Sequence, residues 1–387
     1  MSYNNRHYNR GGHSNQQNKA AEATQKHDYS FPQAPNDGIS ELSINGTRER
    51  PTSLCVAGSW DGTLSVYEVR SQQGQMNVMK QAEQKAEGPI LCTGIADDGY
   101  NTVFGGCDRK LRMYDVRNAG ATAQVIGTHD AAIKCVNVVP GRNVFITGGW
   151  DKTVKVWDAR SPQPVTGTTL GERVYAMDAN QTKLVVGTAD KKCHVFDISQ
   201  GNLREVASFE VLKYQTRSIS MFADGNGFAI GSIEGRVGIE YFDEMDKKNN
   251  NNKGNTKNFI FKCHREKINN NNAASRIFAV NSIFFHPNYN TLCTGGSDGV
   301  FCMWDKDARQ RLGMYQDFKY SSYNQNNYHN PITSLKISPS DNCLFYSMSY
   351  DWSMGANPTY PSGGGMNSQN RIMVHRFDDS EVKPKPN

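Results

Sequence analysis

The sequence predicts an all-β chain closed into a seven-bladed β-propeller. Three observations carry this. A unit of apolar strand, glycine or serine, acidic turn and alternating apolar strand recurs along the chain. Its shorter spacings match the roughly 40–45-residue period of a four-stranded blade. The unit occurs seven times in one register.

The clearest copy is Thr147-Gly-Gly-Trp-Asp-Lys-Thr-Val-Lys-Val-Trp-Asp158. Earlier copies are Gly58-Ser-Trp-Asp-Gly-Thr-Leu-Ser-Val-Tyr67 and Gly105-Gly-Cys-Asp-Arg-Lys-Leu-Arg-Met-Tyr-Asp115. Later ones start at Gly187, Gly231 and Gly295, and a degenerate seventh is Ser347-Met-Ser-Tyr-Asp-Trp352. The acidic turn residues are Asp61, Asp108, Asp151, Asp190, Glu234, Asp298 and Asp351, at steps of 47, 43, 39, 44, 64 and 53. The two long steps contain an Asn-rich run and the stretch Ser321–His329.

Period two defines the strands. In Val154-Lys-Val-Trp157 the valines face one neighbouring blade and Lys155 points away from it. A lone blade cannot cover both faces; radial stacking covers them and leaves short edges. Gly38–Ile44 reads as the first strand of blade one. Arg371–Phe377 reads as the outer strand of blade seven, helping to close the ring.

The propeller is expected over residues 36–382. Residues 1–35 read as a disordered Asn/Gln-rich tail, because so few large aliphatic residues cannot offset ordering entropy. Residues 247–274 read as an Asn-rich loop insertion around one apolar island, Phe259–Phe261. Ala356–Asn370 reads as a Gly/Ser-rich loop, and residues 383–387 as a C-terminal tail. These polar tracts dilute the hydrophobic share to 37%, low for a folded chain.

Nine cysteines without a Cys-x-x-Cys pair argue against a disulfide framework and for a reducing compartment. No signal peptide or 18-residue apolar run is present, so no membrane partner is expected. The net charge of +5 permits an acidic or nucleic-acid partner without requiring one.

Taken singly, the acidic turns resemble catalytic carboxylates, and His129 and His264 precede Asp151 and Asp298. The pattern repeats, which an active site would not. It reads as a His, Ser/Thr, Asp and Trp relay that braces each blade. Gly225-Asn-Gly-Phe-Ala-Ile-Gly231 fails the dinucleotide fingerprint and leads into a turn, not a helix. Cys263-His264 lacks a second ligand pair. The chain is therefore expected to be no enzyme and to hold no metal or cofactor.

Blades five and six carry Arg236, Lys262, Arg265, Lys267, Lys306, Arg309 and Arg311, with Phe261 and Trp304 among them. Cations between aromatics suit a phosphate backbone and stacked bases. A solvated basic face over core aromatics accounts for the same composition, and composition alone favours it.

The repeat resembles the WD-repeat superfamily over roughly residues 36–382, which makes the expected fold a WD-repeat propeller. More particular stretches are Ser59-Trp-Asp61, Gly171-Glu-Arg-Val-Tyr175, Gly231-Ser-Ile-Glu-Gly-Arg-Val237, Phe261-Lys-Cys-His264 and Phe285-His-Pro287. Trp304-Asp-Lys-Asp-Ala-Arg309 and Ser349-Tyr-Asp-Trp-Ser353 complete them. In this order they resemble the nuclear-pore messenger-RNA export factor family, whose near relative is the mitotic-checkpoint propeller. The resemblance implies docking of a GLEBS hairpin from a phenylalanine–glycine-repeat (FG-repeat) nucleoporin. It also implies contact with RNA or messenger ribonucleoprotein in a groove formed by Arg236, Phe261, Trp304, Asp305, Lys306 and Arg309. It places the chain in the nucleus, at the pore complex and envelope, and in the cytoplasm. Spindle assembly is a further role that it implies. The rival readings are a checkpoint scaffold and a substrate adaptor of the ubiquitin pathway.

Overall fold

The structure is a computed structural model. It describes residues 28–45, 52–72, 75–118, 120–161, 163–245, 256–268, 274–316, 330–338, 342–353, 355 and 370–384. These residues form seven four-stranded antiparallel sheets and one two-stranded ribbon. The sheets are the blades of a seven-bladed β-propeller. Among the described residues no helix is long and apolar enough to cross a membrane.

Blade three shows how the sequence builds the unit. Its strands are Ile133–Val139, Val144–Gly149, Thr153–Asp158 and Thr166–Thr169. Val154 and Val156 point to blade four and pack with Val174, Met177 and Leu184. Phe145 and Trp157 point the other way and pack with Val103, Leu111 and Ile126 of blade two. Lys155 shares that second face, and its ammonium donates to the Thr128 carbonyl at 3.1 Å. Alternation thus supplies one apolar face to each neighbour. Gly148 sets how closely the blades approach, because a Cβ there would lie 2.7 Å from Val174. Gly295 does the same against Ile332 of blade seven.

The predicted first strand of blade one is present as Ile39–Asn45. Ring closure differs from the expectation. Arg371–Arg376 is the third strand of blade seven, and the outer strand is Asp28–Ser30 from the N-terminal end. The tail boundary expected near residue 35 therefore moves to before Asp28; residues 1–27 lie outside the described residues. Averaging over a polar tract hid a short anchor. Phe31 is buried and meets Tyr67 and Phe345 edge-on, at 5.1 and 6.1 Å between ring centroids. Asp28 accepts from His375 Nδ1 at 2.6 Å. A single helical turn, Asp379–Val382, ends with Val382 fully buried.

The 247–274 insertion is also corrected. Phe259–Lys262 is the outer strand of blade five, and Arg265–Lys267 pairs with Ser275–Ile277 as the ribbon. Residues 246–255 and 269–273 lie outside the described residues, as do Ser321–His329, residues 356–369 and 385–387.

Candidate functional site

All seven acidic residues sit in the turn between the second and third strands of their blade, which places them on one face of the ring. Blade three holds the complete relay. His129 Nδ1 lies 2.8 Å from Asp151, and Nε2 lies 2.7 Å from Thr147 Oγ1. Trp157 Nε1 donates to that same hydroxyl at 2.7 Å. An acidic partner at Nδ1 makes it the donor, so Nε2 accepts from the threonine. Burial pushes the imidazole below its usual value and keeps it neutral, although Asp151 opposes this. Burial also raises the Asp151 carboxyl, but donors from Thr153, His129 and the Asp130 backbone outweigh it and hold the group ionised. The threonine, histidine and tryptophan are all buried. Every polar atom of this relay has its partner inside the blade, so its chemistry is bracing.

Blade six repeats the arrangement. His264 meets Asp298 at 2.9 Å and Thr294 at 3.0 Å, and Trp304 Nε1 donates to Thr294 at 3.0 Å. Among the described residues the other five blades show different arrangements, which corrects the expectation of one relay per blade; His329, ahead of Asp351, lies outside the described residues. Asp61 accepts from the Thr63 backbone at 2.8 Å, and Asp108 pairs with the buried Arg112. Asp190 accepts from Thr188 at 2.6 Å, while Glu234 takes Arg236 at 3.1 Å and Arg265 at 3.4 Å. Asp351 reaches across to blade six, accepting from Asn281 at 2.8 Å and from Ser297. The turn register survives, and among the described residues hydroxyls, arginines and a cross-blade clamp meet these acidic side chains.

The groove lies between blades five and six, a cavity of about 320 Å³. Its aromatic wall comes from Phe259 and Phe261 on the outer strand of blade five and Trp304 on the third strand of blade six. The Phe261 and Trp304 rings lie 4.8 Å apart. The relay fixes the Trp304 nitrogen edge and leaves its ring half-buried at the groove. Beyond Trp304, the Asp305 carboxylate accepts from the backbone of Asp307 and Ala308, each at 3.0 Å. That turn brings Arg309 into the left-handed region at φ 54°. Its guanidinium lies 4.5 Å over the Phe259 ring, exposed.

Five of the six expected groove residues, Phe261, Trp304, Asp305, Lys306 and Arg309, line this cavity. Arg236 does not. It begins the third strand of blade five, at the acidic-turn end, where Glu234 holds it. Lys306 lines the groove, yet its side chain is only 3% exposed. Its ammonium lies 2.7 Å from Asp307 and over the rings of Phe222 and Tyr241, at 4.8 and 5.4 Å. Asp305 spends its carboxylate on the turn. Sequence reasoning missed Ile260 and Gln310, which also line the cavity, and the role of Phe259. The apolar run Phe259-Ile-Phe261 was the available signal, with its two phenylalanines on one face.

The sheets and braced turns define a WD-repeat propeller. The family described as WD domain, G-beta repeat matches residues 120–158 and 272–305, which include the tryptophans of the two complete relays. The chain is 37% identical to the mRNA export factor GLE2 of Chaetomium thermophilum, over 93% of each chain. It is 35% identical to the Poly(A)+ RNA export protein of Schizosaccharomyces pombe, over 93% of this chain and 94% of that one. It is also 33% identical to the mitotic checkpoint protein bub-3 of Caenorhabditis elegans, over 92% and 96%. A solved structure titled U3-55K superposes with a TM-score of 0.67 over 91% of this chain and 99% of that chain. At 14% identity it shows the fold alone. This chain belongs to the mRNA export factor GLE2/Rae1 family.

Proposed function

We propose that this chain is a non-enzymatic adaptor in nuclear export of messenger RNA. In this reading a GLEBS hairpin of an FG-repeat nucleoporin docks on the acidic-turn face. RNA or messenger ribonucleoprotein occupies the groove between blades five and six. The protein then works in the nucleus and at the pore, with a cytoplasmic pool. The observation that carries the reading is the groove itself. Half-buried Phe261 and Trp304 and an exposed Arg309 over Phe259 offer ring faces beside a cation that phosphate can reach. Arginine suits this task because its planar fork meets phosphate in two places. The acidic-turn face offers exposed Trp60 and Trp352, 38% and 55% exposed, as apolar contacts for a docked hairpin.

Preformed strands reduce the ordering cost on binding, so both ligands are expected to sit on one molecule. The test is a ternary complex: a nucleoporin hairpin and a labelled single-stranded RNA are mixed with the purified chain. Co-migration of all three supports the adaptor. Mutual exclusion, or no RNA binding at any salt, refutes simultaneous occupancy. The bub-3 likeness favours a second reading, a spindle-checkpoint scaffold. Affinity purification from interphase cells separates the two, since the adaptor captures nucleoporins and the scaffold captures checkpoint kinases. Cullin capture would instead mark a ubiquitin-pathway adaptor.

A further inference from the structure

We propose that Lys306 is a positioning residue: it anchors the Asp305–Arg309 turn inside the fold and leaves Arg309 as the cation that meets a ligand. This rests on the groove reading above. By residue type and sequence position, Lys306 belongs with Arg309 as a phosphate contact. The geometry separates them. The Lys306 ammonium is turned into blade five, where Phe222 and Tyr241 present their faces at 4.8 and 5.4 Å. Those two rings pack edge to face at 5.1 Å and form one wall. Asp307 closes the clasp from the outside. It takes the ammonium at 2.7 Å, and the Tyr241 hydroxyl donates to the same carboxylate oxygen at 3.0 Å.

Moving this buried ammonium toward a phosphate would remove it from a carboxylate and two rings at once. The clasp therefore works as a joint between blades five and six. Asp305 folds the chain back, Lys306 pins it to blade five, and Arg309 emerges exposed over Phe259. A cation already neutralised inside the free protein adds little to counterion release, whereas an exposed one adds its full share.

Two measurements test this, and the first needs no ligand. The folded protein is treated with an amine-labelling reagent and read by mass spectrometry. Lys306 is expected to label about tenfold or more slowly than Lys262, the exposed lysine of the same groove, because labelling needs local opening. Asp307→Asn and Tyr241→Phe are expected to speed the labelling of Lys306 alone. Equal labelling of the two lysines in the unaltered protein overturns the proposal.

The second measurement is binding of a single-stranded RNA oligonucleotide over a salt series. Arg309→Ala is expected to flatten the log–log slope by roughly 0.7. Lys306→Met is expected to weaken binding severalfold with the slope unchanged. Asp307→Asn is expected to behave likewise, and it guards against misfolding of the lysine variant because Asp307 is 70% exposed. A slope change for Lys306→Met equal to that of Arg309→Ala overturns the proposal. If Lys306 is protected while even Arg309→Ala leaves RNA binding unchanged, the anchoring stands and the RNA groove falls.

Discussion

In blade three the indole of Trp157 is 2% exposed, while in blade six that of Trp304 stands half-buried. Both belong to complete relays, and both donate to a threonine hydroxyl of the adjacent strand. The difference comes from the preceding blade. The outer strand of blade two pairs Gly127 with Leu111; that of blade five pairs Phe261 with Val237 at the same register. A Cβ on Gly127 would lie 2.5 Å from the Trp157 ring, so glycine lets the outer strand lie directly over the indole. Phenylalanine packs against Trp304 with its ring tilted by 53° instead and leaves the groove open. One brace thus serves two ends: in blade three it is only structural, and in blade six it also holds an aromatic face to a cavity. What differs is one outer-strand residue and the turn that delivers Arg309.

The largest expected effect comes from forcing blade three to imitate blade six. Gly127→Phe should cost about 3 kcal/mol of stability, since the ring has no room beside Trp157. Urea unfolding checks this, and an unchanged midpoint would show that the outer strand yields freely. Breaking the shared feature comes next. Asp151→Ala and Asp298→Ala should each cost about 1–3 kcal/mol, because each leaves a buried histidine without its acceptor. Markedly unequal losses would show that the two relays are not equivalent braces.

Proton linkage sharpens the contrast with the ring closure. Burial depresses His129, so its folded value lies below the reference 6.5, and stability at blade three should fall as pH drops below about 6.5. His375 is the reverse case. Burial alone would lower it, but the hydrogen bond to Asp28 and the Glu381 carboxylate 3.9 Å from Nε2 raise it to about 9. Its contribution should be complete below about pH 6.5 and lost as pH rises through 9. Amide exchange across pH should therefore show acid loosening blade three and alkali loosening the Asp28–Ser30 strand. The same pH trend in both blades would contradict the assignment. The smallest stability effect belongs to Arg309→Ala, within about 0.5 kcal/mol, because the side chain is exposed. Its thermal midpoint should stay put while ligand binding changes.

Inner and middle strands were legible in the sequence because each carries several alternating apolar residues ending in glycine and an acidic turn. Outer strands were not. Asp28–Ser30, Thr166–Thr169 and Phe259–Lys262 are three or four residues long, too short to display a period. In the sequence the closing strand therefore reads as tail and the groove wall as a loop island. In the candidate site, residue types and order pointed to Trp304 through Arg309. Side-chain direction did not follow from them. Lys306 is turned inward by Phe222 and Tyr241, more than sixty positions earlier in the chain. Arg236 pairs in register with Lys262 near the groove, yet Glu234 holds it at the acidic-turn end.

In the proposed function blades five and six form the ligand surface, and the equivalent gap between blades two and three does not. Ultraviolet crosslinking of a uridine-rich single-stranded RNA, with the attached peptides mapped by mass spectrometry, tests it most directly. Crosslinks are expected on peptides carrying Phe259, Phe261 or Trp304, with their loss in Arg309→Ala protein that melts normally. Crosslinks confined to other blades, or unchanged by Arg309→Ala, would contradict it.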